Sequence, residues 1–579
     1  MTNFVIQGEN KVVNLNKNNF VVSGGEGSIY IIGNTIYKVT TPSHMISTGK
    51  IKELEKIKTK YIIVPEKVLL KDKKPHGYTM KAVPDNPISL VKILPKGYRT
   101  REGIKPEQIV KLVEKMANGI RFIHSKGDYL QVDGNELNYM LPKTLSEVYF
   151  IDTNSYQTPT YPADAIMLSI RDWSVKQKNG QYEWTKLSDA WSFAILSFYL
   201  FTAIHPFKGR HPTTEHTNDL MTANMKAHKS VLDPQTKFPT GPIYYPFENF
   251  IPGGKNGIFW QWYYALFVKK ERHYIPDNFQ GKINVVFTHT VSHVSSSNQL
   301  SIKLIQQYDS DITGYYEQFN KVVVITKKYI YGENKKLEKK NNSAVVGFTD
   351  GYNTPLVVWS ENNKLIWQEF NGDIKQHNIN CSHIISYAGR IYLQNDETIS
   401  ELDYVEIANN IYPLIRPIAS VMQSATVMYN GVIVQNMFGT ILVSIFPTKG
   451  CHNQFSISEL QDYKIIDGKY CNNVLMFVGF NRKTGCYDRL IFRFSSDLQT
   501  YDCRIVKNIG IAHLNFTTTY KGVCICIDEQ EELELFTNKK DDVFVKTLQD
   551  NNVKGDMYLC NSNPVKFACE NKLYSISLK

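Results

Sequence analysis

The spacing of hydrophobic positions changes near the middle of this 579-residue chain. In residues 105–125, apolar side chains recur every three or four positions, which predicts an amphipathic helix with Pro106 in its first turn. Nearer the N-terminus, residues 21–39 predict three short strands, the first two joined by a glycine turn. In the second half, apolar runs such as residues 322–325 and 355–359 alternate with turn residues. The pattern therefore predicts an α+β first half and an all-β second half.

Clusters of predicted strands recur through the second half, near residues 320, 355, 388, 432, 476, 522 and 570. An interval of roughly 35–50 residues is typical of propeller blades. No sharp repeat signature accompanies it. The spacing predicts a β-propeller of six or seven blades, and two stacked β-sandwiches are the alternative architecture.

Composition narrows the class of protein. Hydrophobic residues make up 42% and charged residues 21%, as in folded soluble domains. A net charge of +11 is mild for this length, so it permits acidic partners without indicating nucleic acid. The longest apolar run, residues 190–203, is too short to span a bilayer, so no membrane contact is expected. All nine cysteines lie from Cys381 onward without zinc-like spacing, and the N-terminus has no signal-peptide core. We therefore expect buried thiols and a cytoplasmic, reducing location.

The densest candidate chemistry lies in residues 129–155. Asn138 follows Asp133 by five positions, and Asp152 comes fourteen residues later at the end of an apolar run. Phosphoryl transfer needs a carboxylate that orients the attacking hydroxyl and oxygen ligands that hold magnesium. A D-x4-N loop followed by a strand that ends in Asp supplies these groups. The pattern resembles the catalytic loop and the metal-binding aspartate of the protein kinase superfamily.

A glycine turn near the N-terminus extends the resemblance. Gly24, Gly25 and Gly27 lie between two predicted strands, and Lys38 lies on the next strand. Glycines let backbone amides approach phosphate oxygens, and a lysine on the following strand reaches the same phosphates. The arrangement is similar to the glycine-rich loop and strand-3 lysine of kinases. It departs from the family at the first glycine position, where Val22 stands.

The same resemblance implies two further nucleotide-site residues. Kinases pair the strand lysine, here Lys38, with a glutamate on the next helix. Glu53 is the preferred candidate, and the spacing leaves Glu55 open. Met80, near the end of a later predicted strand, would precede the hinge that hydrogen-bonds adenine.

Later segments follow the kinase order. Asp189 begins a D-A-W-S sequence and residues 205–209 read H-P-F-K-G, which resemble the D-x-W-S-x-G helix and the P-F-x-G that follows it. The resemblance implies that Asp189 is a buried carboxylate that caps backbone amides of the catalytic loop. Arg272 ends a late helix-like segment, whereas an equivalent of the family's A-P-E is unclear near residues 169–171.

The catalytic segment also departs from the common kinase pattern. Gln131 and Val132 stand where His-Arg precedes the catalytic Asp, which implies no switching through a phosphorylated activation loop. Asn135 replaces the lysine that contacts the γ-phosphate in common Ser/Thr kinases. The D-x-N-x-x-N form and residues 151–157 resemble bacterial and phage kinases, with Asn154 in place of a second acid.

The resemblance assigns a role to each of these groups. Asp133 would orient the substrate hydroxyl as the catalytic acid–base group, and Asn135 is a further catalytic candidate. Asn138 and Asp152 would hold Mg²⁺, and Lys38 would hold the α- and β-phosphates of ATP.

The predicted protein is multidomain: a bilobal α+β kinase-like domain and an all-β domain. The kinase-like domain spans residues 1–280, with an N-lobe at 1–83 and a C-lobe at 84–280. A linker at 281–301 leads to the all-β domain at 302–579.

The predicted function is that of an ATP- and Mg²⁺-dependent protein Ser/Thr kinase. Its β domain would recruit a protein substrate or partner. The alternatives are a catalytically inactive kinase-like scaffold and a small-molecule phosphotransferase.

Overall fold

The computed structural model describes every residue except 1, 10, 25, 85, 164–165, 215–219, 239–243, 278–299, 333–334, 352, 396, 409, 448, 510–513, 529–531, 549, 551–552, 554–556 and 579. The predicted linker at 281–301 lies outside the described residues except for Leu300 and Ser301. The chain forms two compact units, Met1–Val291 with Arg482–Cys486, and Ser292–Asn481 with Tyr487–Lys579.

The first unit begins with a seven-stranded antiparallel sheet in the order β2-β1-β6-β7-β5-β4-β3. Its strands are β1 (Thr2–Ile6), β2 (Lys11–Leu15), β3 (Phe20–Gly24), β4 (Gly27–Ile32), β5 (Thr35–Thr40), β6 (Val68–Lys71) and β7 (Lys74–Lys81). The predicted strands around the glycine turn correspond to β3, β4 and β5. Helix α1 (Thr48–Leu54) precedes β6, and the Ser47 hydroxyl accepts a hydrogen bond from the Lys50 amide at its start.

Helices dominate the remainder of the first unit. They are α2 (Lys96–Glu102), α3 (Pro106–Ser125), α4 (Lys186–Thr202), α5 (Leu220–Ala227), α6 (Phe247–Phe250) and α7 (Ile258–Phe267). Three short strands form a small sheet, namely β8 (Ile88–Ser89), β9 (Tyr139–Leu141) and β10 (Tyr149–Phe150). A hairpin of β11 (Gln177–Lys178) and β12 (Gln181–Tyr182) precedes α4.

Helices α3 and α4 position the candidate site. The predicted helix at 105–125 is confirmed as α3, with Pro106 in its first turn and seven buried residues along one face. In α4, every residue from Ser188 to Thr202 except Tyr199 is buried. A helix buried on all sides in this way is a rigid support for the loop that rests against it.

The second unit is built mainly of strands, as the loss of helical period predicted, with short 3-10 helices at Gln423–Ala425 and Ser458–Leu460. Twenty-eight strands, β13–β40, form seven four-stranded antiparallel sheets among the described residues. The first four sheets contain β14 (Ile312–Gln318), β15 (Lys321–Thr326), β16 (Tyr329–Tyr331), β17 (Lys336–Glu338); β18 (Val345–Phe348), β19 (Pro355–Glu361), β20 (Lys364–Glu369), β21 (Ile374–Asn380); β22 (His383–Tyr387), β23 (Arg390–Asn395), β24 (Thr398–Ile407), β25 (Asn410–Ser420); and β26 (Thr426–Tyr429), β27 (Val432–Met437), β28 (Thr440–Ile445), β29 (Asn453–Ser456). The last three contain β30 (Tyr463–Cys471), β31 (Val474–Asn481), β32 (Cys486–Phe494), β33 (Tyr501–Val506); β34 (Phe516–Thr518), β35 (Val523–Ile527), β36 (Leu533–Thr537), β37 (Val545–Leu548); and β13 (Leu300–Gln307), β40 (Lys572–Leu578), β39 (Lys566–Cys569), β38 (Tyr558–Cys560).

The seventh sheet joins the two ends of this unit. Strand β13 pairs antiparallel with β40, from Leu300 opposite Leu578 to Gln307 opposite Lys572. The other six sheets each use four consecutive strands.

Hydrophobic clusters connect each sheet to the next. One cluster packs Leu356 and Leu365 of the second sheet against Leu393 and Leu402 of the third. Equivalent clusters join every successive pair of sheets up to the seventh. A further cluster joins the seventh sheet to the first, through Cys560 and Val324 among others. The second unit therefore has a core divided among successive inter-sheet layers.

Candidate active site

The loop that carries Asp133 is held by the carboxylate of Asp189 on α4. Asp189 Oδ2 accepts a hydrogen bond from the Gln131 amide, and Oδ1 accepts one from the Val132 amide, both at 2.8 Å. His124 Nε2 lies 2.7 Å from the same carboxylate. Val132 has a φ of 58°, which is strained for a β-branched residue. These bonds confirm the predicted capping role of Asp189, and they offset the strain next to Asp133.

Asp133 lies at the centre of a set of hydrogen bonds. Its Oδ1 accepts one from the Met167 amide at 2.8 Å. Asn138 Nδ2 donates to the backbone oxygen of Asp133 at 2.8 Å and lies 3.4 Å from its Oδ2. Asn135 also hydrogen-bonds the Asp133 carboxylate, and its own Oδ1 accepts from the Leu137 amide at 2.8 Å. Burial raises the pKa of Asp133, an effect that these hydrogen bonds oppose.

Lys38 on β5 meets the segment that follows β10. Its Nζ lies 3.3 Å from Asp152 Oδ1 and 3.5 Å from Asn154 Oδ1, although the residues are more than a hundred positions apart. Burial by itself lowers the pKa of Lys38, but the charges of Asp152 and Glu26 reverse this and hold it above its usual value. Lys38 is therefore a fixed cation beside the Asp152 carboxylate.

Asp152 and Asn138 are brought together by the small sheet. The Ile151 amide donates to the Asn138 backbone oxygen at 3.0 Å. Asp152 itself has a left-handed backbone with a φ of 56°, and its carbonyl accepts from the Ser155 hydroxyl at 2.8 Å. The carboxylate of Asp152 and the amide of Asn138 therefore belong to adjacent backbone segments.

The expected pair between Lys38 and a glutamate of the next helix is not formed. Glu53 Oε2 accepts from the Thr160 amide at 3.3 Å, and the Glu53 backbone oxygen accepts from the Tyr129 hydroxyl at 3.0 Å. Glu55 is exposed at the end of α1. Instead, Lys38 Nζ donates to Glu26 Oε2 at 2.7 Å. Sequence reasoning overlooked Glu26, although its place beside Gly27, at the start of the strand that pairs with β5, was a usable signal.

The glycine turn and Met80 have the following placements. Gly24 ends β3 and Gly27 begins β4, and the two are opposite each other. A Cβ on Gly27 would lie 2.1 Å from the Val39 carbonyl oxygen, so close packing against β5 already requires glycine there. Gly25 lies outside the described residues. The Met80 side chain is buried in a cluster with Ile51 and Tyr78, and its place before an adenine-binding hinge stays a prediction.

A neutral network of hydrogen bonds surrounds Gln131. Gln131 Nε2 donates to the Tyr156 hydroxyl at 3.0 Å, and the Tyr139 hydroxyl donates to Gln131 Oε1 at 2.9 Å. All three side chains are almost fully buried. They tie the Asp133 loop to the segment after Asp152 without a charge. Tyr156 belongs to the motif at residues 151–157 that the sequence analysis singled out, whereas no sequence signal pointed to Tyr139.

The far end of the same segment is anchored by a buried acid. Asp172 forms an ion pair with Arg272, and Arg272 also donates to the Ser174 hydroxyl. His205 Nε2 lies 2.9 Å from the Ser169 carbonyl oxygen. The sequence analysis assigned no residue to this end of the segment, and in the structure Asp172 is the carboxylate that pairs with Arg272 there.

Two absences concern the described part of the chain only. There, no group of three or more His, Cys, Asp or Glu side chains could hold a metal ion. Within the same residues, no helix is long and apolar enough to cross a membrane.

No protein-family model and no curated protein sequence matches the chain. Among solved structures, the PK-1 kinase of Cydia pomonella granulovirus is 11% identical, with a TM-score of 0.27 over 34% of this chain and 73% of that one. The Kluyveromyces lactis Hsv2 structure is 11% identical, with a TM-score of 0.29 over 47% of this chain and 98% of that one. Structural likenesses at these TM-scores assign neither a fold nor a function to this chain.

Proposed function

We propose that the first unit is an ATP- and Mg²⁺-dependent protein Ser/Thr kinase. The observation that carries the proposal is the convergence of Lys38, Asp152, Asn138 and Asp133 from three separate segments. A lysine, two oxygen ligands and a hydroxyl-orienting carboxylate are the parts that phosphoryl transfer requires.

The donor atoms near Asp152 fit the proposed cofactor. Asp152 offers a carboxylate, while Asn138 and Asn154 offer amide oxygens. All are hard oxygen ligands, and Mg²⁺ is usually held by one or two carboxylates together with substrate phosphates. Bound Mg²⁺ would neutralise charge that develops on the phosphates. Lys38 would donate to phosphate oxygens.

Asp133 would act on the substrate hydroxyl. The Met167 amide and the Asn135 side chain fix the orientation of its carboxylate. A pKa raised by burial makes this carboxylate a better proton acceptor than an exposed aspartate. The segment after Asp152 is held near one end by Tyr156 and at the other by Asp172. A segment fixed at both ends supports binding of an extended peptide, which favours a protein substrate over a small molecule.

In this proposal the second unit is a seven-bladed β-propeller that recruits a protein. Seven four-stranded sheets, joined in sequence by hydrophobic clusters with the seventh against the first, support a closed ring over two stacked sandwiches. A binding role is supported by Ile407, Tyr412 and Leu414, which are 59%, 52% and 51% exposed. The strand register puts these side chains on one face of the β24–β25 hairpin.

Transfer of labelled γ-phosphate from ATP tests the proposal. The full chain would be assayed with Mg²⁺ on itself and on generic protein substrates. Asp133→Ala and Asp152→Ala are the test variants, and Asp128→Asn at an exposed position is the control. We expect transfer by the wild type and the control and a loss of at least about a hundredfold in both test variants. Nucleotide binding without transfer would instead favour the inactive scaffold, and transfer only to small molecules would favour the small-molecule phosphotransferase.

A further inference from the structure

The nearest described partner of Lys38 is a carboxylate from the glycine turn. Glu26 Oε2 is 2.7 Å from Lys38 Nζ, compared with 3.3 Å for Asp152 Oδ1. The Lys38 side chain is 10% exposed, whereas that of Glu26 is 51% exposed. The lysine is therefore fixed within the site, and the glutamate reaches it from the solvent side.

The backbone of Glu26 is held independently of its side chain. The Thr41 amide donates to the Glu26 carbonyl oxygen at 3.0 Å, which ties the turn to the end of β5. Gly27, directly after Glu26, is opposite Thr40 in the pairing of β4 with β5. Rotation about side-chain bonds is therefore enough to withdraw the carboxylate, and the sheet does not have to move.

The position of this carboxylate conflicts with a bound nucleotide. Lys38 has three N–H donors, and Glu26, Asp152 and Asn154 lie within hydrogen-bond reach of them. A phosphate group that binds Lys38 must displace one of these partners. Asp152 and Asn154 offer oxygens to the proposed metal ion, whereas Glu26 has no such role and its side chain is 51% exposed. Glu26 is therefore the partner that a phosphate replaces. The two cannot share the site without repulsion between like charges.

We propose that Glu26 competes with the phosphate groups of ATP for Lys38 and makes nucleotide binding depend on a divalent cation. The proposal rests on the proposed nucleotide site. Mg²⁺ reduces the charge of the phosphates, so they can compete with the Glu26 carboxylate for Lys38. Free ATP brings its full negative charge against both Glu26 and Asp152, so its binding is suppressed.

Equilibrium binding of ATP to the full chain tests this proposed role of Glu26. Wild type and Glu26→Gln would be titrated calorimetrically, once with Mg²⁺ and once with EDTA. Glutamine keeps the shape of the side chain and removes its charge. Glu114→Gln, at an exposed site on α3, is the matched control for loss of one negative charge. We expect Glu26→Gln to bind Mg²⁺-free ATP about tenfold more tightly than wild type. With Mg²⁺ the gain should be about threefold or less, and the control should match wild type in both conditions.

The outcomes separate the two proposals. If Glu26→Gln binds Mg²⁺-free ATP no more tightly than wild type while Mg²⁺-ATP binding persists, the role of Glu26 is overturned and the nucleotide site stands. If Glu114→Gln shows the same gain, only net charge matters, and the specific role is likewise overturned. If neither wild type nor Glu26→Gln binds ATP in either condition, while circular dichroism shows folded protein, the nucleotide site and the role of Glu26 both fall.

Discussion

Replacement of Asp189 by asparagine should loosen the loop that carries Asp133. The carboxylate accepts from the Gln131 and Val132 amides and contacts His124. Asparagine has one acceptor oxygen, and its NH₂ group would face one of these donors. A buried charge-assisted bond is lost and an amide is left unpaired, so we expect a loss of about 3–5 kcal/mol in the free energy of unfolding. The strain at Val132 adds to the tendency of the loop to relax.

Two measurements on the full chain check this expectation. Thermal unfolding of the first unit should shift by about 2–4 °C for each kcal/mol lost. Amide hydrogen exchange of the peptide that contains Gln131 and Val132 should accelerate more than exchange in α3. Asp128→Asn, at an exposed aspartate near the same loop, is the matched control and should stay within about 0.5 kcal/mol of wild type.

A small effect would refute this reasoning. If Asp189→Asn lost less than about 1 kcal/mol and left exchange of the loop unchanged, the carboxylate would not be what holds the strained backbone next to Asp133.

Three further predictions follow from the burial of individual residues. Burial lowers the pKa of His205 from 6.5 to about 4, so the folded state keeps it neutral. The contribution of neutral His205 to the free energy of unfolding should be complete above pH 6.5 and fall by about 3 kcal/mol as the pH drops towards 4, because only the unfolded His205 takes up a proton. Urea unfolding across this pH range should show a smaller fall for His205→Gln than for wild type. Equal falls would contradict the lowered pKa of His205. Burial raises the pKa of Asp133, and the ionised carboxylate is required for catalysis, so kcat/KM should begin to fall at a pH above the usual aspartate pKa of 3.8. A profile of kcat/KM that stays flat down to pH 3.8 would exclude Asp133 as the base. In the second unit, Leu300→Ala on β13 removes a buried side chain and should lower the free energy of unfolding by about 2–4 kcal/mol. Leu304, on the same strand, is 54% exposed, so Leu304→Ala should lower it by under about 0.5 kcal/mol. Equal losses in denaturant unfolding would mean that this end of β13 does not help to close the seventh sheet.

Local patterns in the sequence predicted some features well. Helix α3 follows from its apolar period and from Pro106, because helix formation depends on residues three and four positions apart. The change to short strands in the second half was equally clear, since alternation and turn residues are also local. The capping role of Asp189 came from a resemblance, and the two amide bonds to its carboxylate confirm it.

The partner of Lys38 shows where sequence reasoning failed. A glutamate on the next helix was expected, yet Glu53 is drawn to Thr160 and Glu26 takes its place. The choice between the two acids depends on the direction of each side chain in three dimensions. Spacing along the chain carries no information about that direction.

The sequence by itself determined the α+β first half, the all-β second half and the set of chemical groups around Asp133 and Asp152. Only the tertiary structure decided that Glu26 meets Lys38, that Asp172 pairs with Arg272, and that β13 completes a sheet with β40. The physical reason is the separation along the chain between the residues that interact. Helical period, strand alternation and turns arise between near neighbours, whereas these three contacts depend on how whole segments pack. The pairing of β13 with β40 joins residues more than 260 positions apart, so no local pattern encodes it.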